Sequence, residues 1–211
     1  MPNIHFELTK NPQYLNDYYT IREACFRTDL LLSTFDGSED QYDKEGYILI
    51  ARDGDRCIGG ARINGCSPNA VTHLPIENDN FIVKDLFPDL SLEEHAYCQW
   101  TRLALLPEYR TMEAVRNLCL SLPKASAELG FKYAFNVAGS ARARLYRRIL
   151  ALDGIDYKIC NHVKIPAEPG FNDLEHLLSI AILDENPLET SKYNRSFLKE
   201  TSFSTLTSMV A

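Results

Sequence analysis

Gln99, Thr101 and Arg102 are polar residues inside an otherwise apolar, β-forming run at residues 97–106. A run this continuous reads as a strand covered on both faces. Polar side chains buried in such a strand need partners, and a ligand or a reacting group is one kind of partner. Two other stretches carry groups able to do chemistry. Asp40 and Asp43 lie in a stretch rich in Asp, Gly, Ser and Glu, residues 28–46. Arg142, Arg144, Arg147 and Arg148 crowd one short segment of a chain whose net charge is −7. Such a segment is either a solvated face or a docking patch for an acidic partner.

Other chemistries find less support. The six cysteines, Cys25, Cys57, Cys66, Cys98, Cys119 and Cys160, form no C-x-x-C pair and have no histidine at ligand spacing. They read as buried thiols in a reducing compartment, and no metal site is expected. The net negative charge argues against general nucleic-acid binding. No run approaches the roughly 20 apolar residues that span a bilayer. The first residues have neither the basic start nor the apolar core of a signal peptide, so a cytoplasmic location is expected. A length of 211 residues, 45% of them hydrophobic, suits one domain with a sizeable core.

The elements that would position these groups follow from periodicity. Residues 4–8 alternate as a strand. A helix is expected over 12–26, where Leu15, Tyr18, Tyr19, Arg22, Cys25 and Phe26 recur at helical spacing. Residues 28–46 read as a long loop. Strands at 47–51 and 56–64 form a hairpin turned by Asp53 and Gly54, with Gly59 and Gly60 marking a bulge or close approach. A polar connector (66–80) and a short helical turn (81–87) precede the central strand. A helix over 111–129 should be kinked or divided by Pro123 and closed by Gly130. Residues 132–137 form a strand, and Ser140 caps a helix to about residue 152. Strands are expected at 155–165 and 177–183. Residues 1–186 form the domain, and 187–211 read as a polar tail or docking arm. The order describes an α+β (α/β-like) sheet with helices on its faces.

Four clusters in register resemble the acyl-homoserine-lactone (autoinducer) synthases, a branch of the GNAT N-acyltransferase superfamily. They are Arg22-x-x-x-Phe26, Asp40-x-x-Asp43, Gly59-Gly60-Ala61-Arg62 and Thr101-Arg102. The resemblance implies a mixed twisted sheet, helices on both faces, and a splay between two central parallel strands. It implies acyl transfer from acyl-CoA, or from the acyl-phosphopantetheine of an acyl carrier protein, to a small amine. No tightly bound cofactor is implied. Two positions depart from the family. Gln99 stands where the family has Glu, and Gln cannot accept a proton as a carboxylate does. Leu32 stands where the family has a Trp lining the acceptor pocket. Leu105-x-Pro107-x-Tyr109-Arg110 matches the end of the superfamily's coenzyme strand, but Thr111 to Val115 replaces its glycines. Without them the backbone should hold a pyrophosphate less closely.

Roles follow from the resemblance. Gln99, Glu94, Thr101 and Tyr146 are the catalytic candidates, with Glu94, or Asp40 or Asp43, as an alternative base through water and Tyr146 as the acid for the leaving thiolate. Arg22, Phe26, Leu32, Asp40, Asp43, Arg62 and Arg102 belong to the acceptor cleft. There the three arginines either pair with the two aspartates or contact an anionic acceptor. Leu103, Ala104, Leu105, Arg110, Thr111, Met112, Arg144 and Arg148 form the donor side. Three functions stay open: a general N-acyltransferase, an autoinducer synthase using S-adenosylmethionine, and a catalytically silent acyl-binding sensor.

Overall fold

The structure, a computed structural model, describes residues 4–68, 72–166 and 175–183. Seven strands form one sheet in the order β1-β2-β3-β4-β5-β7-β6. They are β1 (Ile4–Thr9), β2 (Tyr47–Asp53), β3 (Arg56–Cys66), β4 (Tyr97–Leu105), β5 (Tyr133–Gly139), β6 (Asp156–Ile159) and β7 (His176–Ile182). The helices are α1 (Pro12–Asp29), α2 (Gln41–Glu45), α3 (Val83–Leu86), α4 (Met112–Glu128) and α5 (Ser140–Leu152). Among the described residues only β4 and β5 run parallel; every other pairing is antiparallel. A parallel pair needs a long crossover, and α4 supplies it.

Side-chain alternation assigns the faces. On β2, Leu49 and Ala51 pack with Leu118 and Leu122 of α4, whereas Ile48 and Ile50 pack with Tyr18, Tyr19 and Ile21 of α1. Both faces of β2 are covered, which is why it reads as an unbroken apolar run. The connector before β4 continues the α1 face: Leu74, Phe81, Val83 and Leu92 are buried against Tyr97, Tyr133, Phe135, Leu178 and Ile180.

Several sequence expectations are corrected. Residues 28–46 are not all loop, because α1 continues to Asp29 and α2 occupies Gln41–Glu45. The connector is not merely polar surface. Glu77 accepts the backbone N–H groups of Leu74 and Val83, both at 2.7 Å, and folds it onto the sheet. Pro123 does not divide α4, which runs through it. Ser140 is the first helical residue of α5 and not its cap; Gly139 takes the cap position without a side-chain bond. The strand expected at 155–165 is confined to Asp156–Ile159. Gly130 does follow α4 in a left-handed conformation, φ +85°. The expected tail lies outside the described residues.

Candidate active site

The two aspartates fold their own segment first. Asp40 Oδ1 accepts the Asp43 N–H at 2.9 Å, and Asp43 Oδ2 accepts the Asp40 N–H at 2.8 Å. This reciprocal capping box starts α2, and it explains the three-residue spacing. The same carboxylates then take two arginines. Arg22 binds Asp43 bidentately, at 2.8 and 2.6 Å. Arg62 reaches Asp40 at 2.6 Å, Asp43 at 3.1 Å and the Thr101 hydroxyl at 3.0 Å. Arg22 also donates to the carbonyls of Gly37 and Ser38. Both arginines are buried, at 1% and 0% exposure, so their charges are met by protein alone. Burial by itself would raise the Asp43 carboxyl. The Arg22 hydrogen bonds, the capping N–H and the nearby arginine charges outweigh it and hold the carboxyl below the usual range.

Arg102 was expected either to pair with the aspartates or to face an acceptor. The bonds to Asp40 and Asp43 come from Arg22 and Arg62, while the Arg102 guanidinium lies 5.3 Å from the Phe35 ring centroid and 6.0 Å from that of Phe26. Its backbone is left-handed, φ +57°, which costs a non-glycine residue about 1–3 kcal/mol. The reason lies in the register. Gly60 pairs with Ala104 and Arg62 with Thr101, so Arg102 and Leu103 together oppose Ala61. This is a β-bulge, and it inverts side-chain parity. Cys98 and Trp100 face the α4 side before it; afterwards Leu105 does, and Ala104 turns to α1. The Tyr18 hydroxyl donates to the Arg102 carbonyl at 2.6 Å and holds the bulge from α1. Gly59 lets the neighbouring strand close on it: a Cβ there would stand 2.3 Å from the Ala104 carbonyl oxygen.

The bulge coincides with the end of strand pairing. β4 and β5 pair from Tyr97–Tyr133 only as far as Trp100–Asn136. Beyond that point β3 still holds β4, and β7 holds β5 to Gly139, so the two parallel strands separate. Asn136 marks the fork. Its amide donates to the Trp100 carbonyl at 3.2 Å, and its oxygen accepts from the Tyr157 hydroxyl at 3.2 Å.

Two cavities open at the fork. The larger, about 370 Å³, is lined by Gln99, Thr101, Arg102, Arg62 and Phe26 on one side. Asn136–Gly139 of β5, the start of α5, Glu175 and His176 line the other. The second, about 190 Å³, is lined by Leu103, Ala104, Leu105, Arg110 and residues of α4 and α5. Phe26, Leu103, Arg142 and Tyr146 line both, so the lobes meet there. A narrow apolar cleft between Trp100, Leu103, Cys119, Leu122 and Leu150 also reaches Tyr146. Burial, reinforced by the nearby Cys119 thiol, pushes the Tyr146 phenol well above its usual range and keeps it protonated.

The other expected residues divide. Gln99 is buried beside the larger lobe, and its Oε1 accepts the Ile76 N–H at 3.0 Å, fastening the connector to β4. Glu94 is exposed in the turn before β4 and is not among the lining residues. Leu32 is buried at 2% exposure, also outside the lining; the aromatic edge beside Phe26 comes from Phe35, 4.8 Å between ring centroids. Arg110 lines the smaller lobe while tying α1 to β4, through Asp29 at 2.8 Å and the Leu105 carbonyl at 2.8 Å. Thr111 caps α4 by accepting the Ala114 N–H, and Met112 is exposed, neither lining a cavity. Arg144 and Arg148 are exposed on α5 and line neither lobe. Tyr18, Phe35, Asn136 and His176 were not singled out as site residues. Their only sequence signals are core periodicity or isolated polar positions, which carry no address.

No protein-family model matches the sequence, and no curated protein matches it. Solved structures do. An N-acyl amino acid synthase from uncultured soil microbes, FeeM, superposes with a TM-score of 0.58 at 12% identity, covering 91% of this chain and 97% of that one. The acyl-homoserine-lactone synthase LasI gives 0.56 at 14%, covering 87% and 92%. The CoA-dependent acyl-homoserine-lactone synthase BjaI, solved with SAM and isopentyl-CoA, gives 0.59 at 13%, covering 88% and 86%. The chain therefore has the GNAT-type acyltransferase fold. The expected sheet, flanking helices and splay are all present. Among the described residues no helix is long and apolar enough to cross a membrane.

Proposed function

We propose that this protein is an N-acyltransferase that moves an acyl group from a thioester donor to the amine of a small acceptor. The observation that carries this reading is the pair of lobes meeting at Leu103 and Tyr146, where β4 and β5 part. A thioester lying along β4 in the smaller lobe would present its carbonyl at the fork. The edge of β4 past Trp100 has no β5 partner, so its backbone N–H groups are the donors available to polarise that carbonyl. The larger lobe holds the amine. As the C–N bond forms and the C–S bond breaks, Tyr146 gives its proton to the leaving thiolate. The donor is acyl-CoA or an acyl carrier protein; with Arg144 and Arg148 exposed beside the lobes, the α5 arginines are the surface an acidic carrier would meet.

The autoinducer-synthase reading is the finer version, with S-adenosylmethionine as the amine. It rests on the ordered cluster of Arg22, Arg62, Asp40 and Asp43 under the acceptor lobe and on the fold shared with LasI and BjaI. One observation favours a silent acyl-binding protein: Gln99 acts as a strut to Ile76, and Glu94 stands away from the cavity. A thiol-release assay decides among the three. Acyl-CoA and acyl-carrier donors are offered with a panel of amines that includes S-adenosylmethionine. Turnover with an amine supports the transferase. Tight donor binding with no release over the whole panel supports the sensor and sinks the transferase.

A further inference from the structure

Acyl transfer to an amine needs a base, and the positions expected to provide one do not. We infer that His176 is the acceptor-side general base, an inference that rests on the transferase reading above. A primary amine is largely protonated near neutral pH and must lose a proton before it attacks. The base must lie within hydrogen-bond reach of that nitrogen, directly or through one water. Gln99 is an amide held by Ile76, and Glu94 is exposed in a turn outside the lining. Asp40 and Asp43 are bound to Arg22 and Arg62 and line neither lobe. Arg62, Arg102 and Arg142 cannot accept a proton, and Tyr146 is held protonated by burial.

Among the described residues, two basic groups remain on the wall of the acceptor lobe, Glu175 and His176. Glu175 is exposed, and a carboxylate in contact with solvent is a weak base for an amine. His176 is half-buried, and an imidazole with a reference pKa of about 6.5 suits proton transfer near neutral pH. The fold places it deliberately. His176 opens β7 opposite Gly139, where β5 ends and α5 begins. Hence α5, which carries Arg142 and Tyr146 to the lobe, starts beside the strand position that carries His176.

The reaction balances with these groups. His176 takes one proton from the ammonium and later passes it to water. The neutral nitrogen attacks the thioester carbon, forming the C–N bond and an oxyanion. The carbonyl re-forms as the C–S bond breaks, and the thiolate takes the Tyr146 proton. The second nitrogen proton restores the phenol. The products are an amide, a thiol and one released proton.

The test is thiol release against pH, with acyl-CoA donors from acetyl to octanoyl and accepted amines of differing pKa. In the wild type, the acid limb of kcat/KM should stay at one pH as the amine is varied. In His176→Gln, kcat should fall about 100-fold with KM for acyl-CoA unchanged and the limb lost. Exogenous imidazole should restore part of the rate in His176→Gly. An acid limb that tracks the amine pKa overturns the inference, and it needs only wild-type protein should the variants fail to fold. Loss of the limb in Glu175→Gln with retention in His176→Gln also overturns it. In both cases continued wild-type turnover leaves the transferase reading standing. No release by wild-type protein from any donor defeats both.

Discussion

Two groups of arginines flank the same cleft under opposite conditions. Arg22 and Arg62 are buried beside the larger lobe, and each is tied to a carboxylate and to a further oxygen. Arg144, Arg147 and Arg148 stand exposed on α5, where Arg144 makes a 3.4 Å contact to Ser140 one turn back. The side chain is the same, and only its surroundings differ. Charge removed from water must be matched inside the protein, so the buried pair is architecture that fixes α1, α2 and β3 to one another. Charge left in water needs no internal match and stays available to a ligand.

The contrast can be broken at its strong end first. Asp43→Asn should destabilise the fold by about 3–5 kcal/mol, because it leaves two buried guanidiniums short of a counter-charge. Urea unfolding measures this, and a loss near zero would mean the cluster is not architecture. The same carboxyl makes stability depend on acid. Its folded pKa lies below the unfolded value, so its contribution is complete above about pH 4. It is lost as pH falls through the folded value; a melting temperature flat from neutral pH to below pH 3 would contradict this sign.

Between the two groups lies Tyr146. Tyr146→Phe should lower kcat about 100-fold with little change in KM, as expected for loss of a general acid. An unchanged kcat would return the residue to simple packing. Tyr18→Phe should cost about 1 kcal/mol by releasing the Arg102 carbonyl. It should also lower kcat, because the bulge that forms the fork is less firmly held. At the weak end, Arg144→Glu with Arg148→Glu should leave the unfolding midpoint unchanged. KM should rise for an acyl carrier donor, most at low salt. If that KM does not move, docking on α5 is wrong.

The hydrogen-bonded cluster next to the larger lobe was legible beforehand as a set of residues. Arg22, Arg62, Asp40, Asp43 and Thr101 were singled out, and the structure bonds them together. Arg102 was expected either to pair with the aspartates or to face an acceptor; it lines the larger lobe, where the bulge sets it beside Phe35 and Phe26. A bulge adds one residue to one strand without any compositional mark, so periodicity cannot reveal it. Glu94 failed for a related reason: it precedes β4 at the end remote from the fork, and distance along a strand is invisible until pairing sets where the fork falls.

The sequence by itself determined the elements with strong local causes. The two-sided apolar run of β2, the hairpin turn at Gly54, the left-handed stop at Gly130 and the capping-box spacing of Asp40 and Asp43 are all consequences of neighbouring residues. Only the tertiary structure decided where β4 and β5 part, which lobes open there, and that Gln99 braces a connector while His176, some 77 positions later, reaches the same cavity. Those outcomes depend on pairings between distant strands, and no local pattern encodes a partner that lies far along the chain.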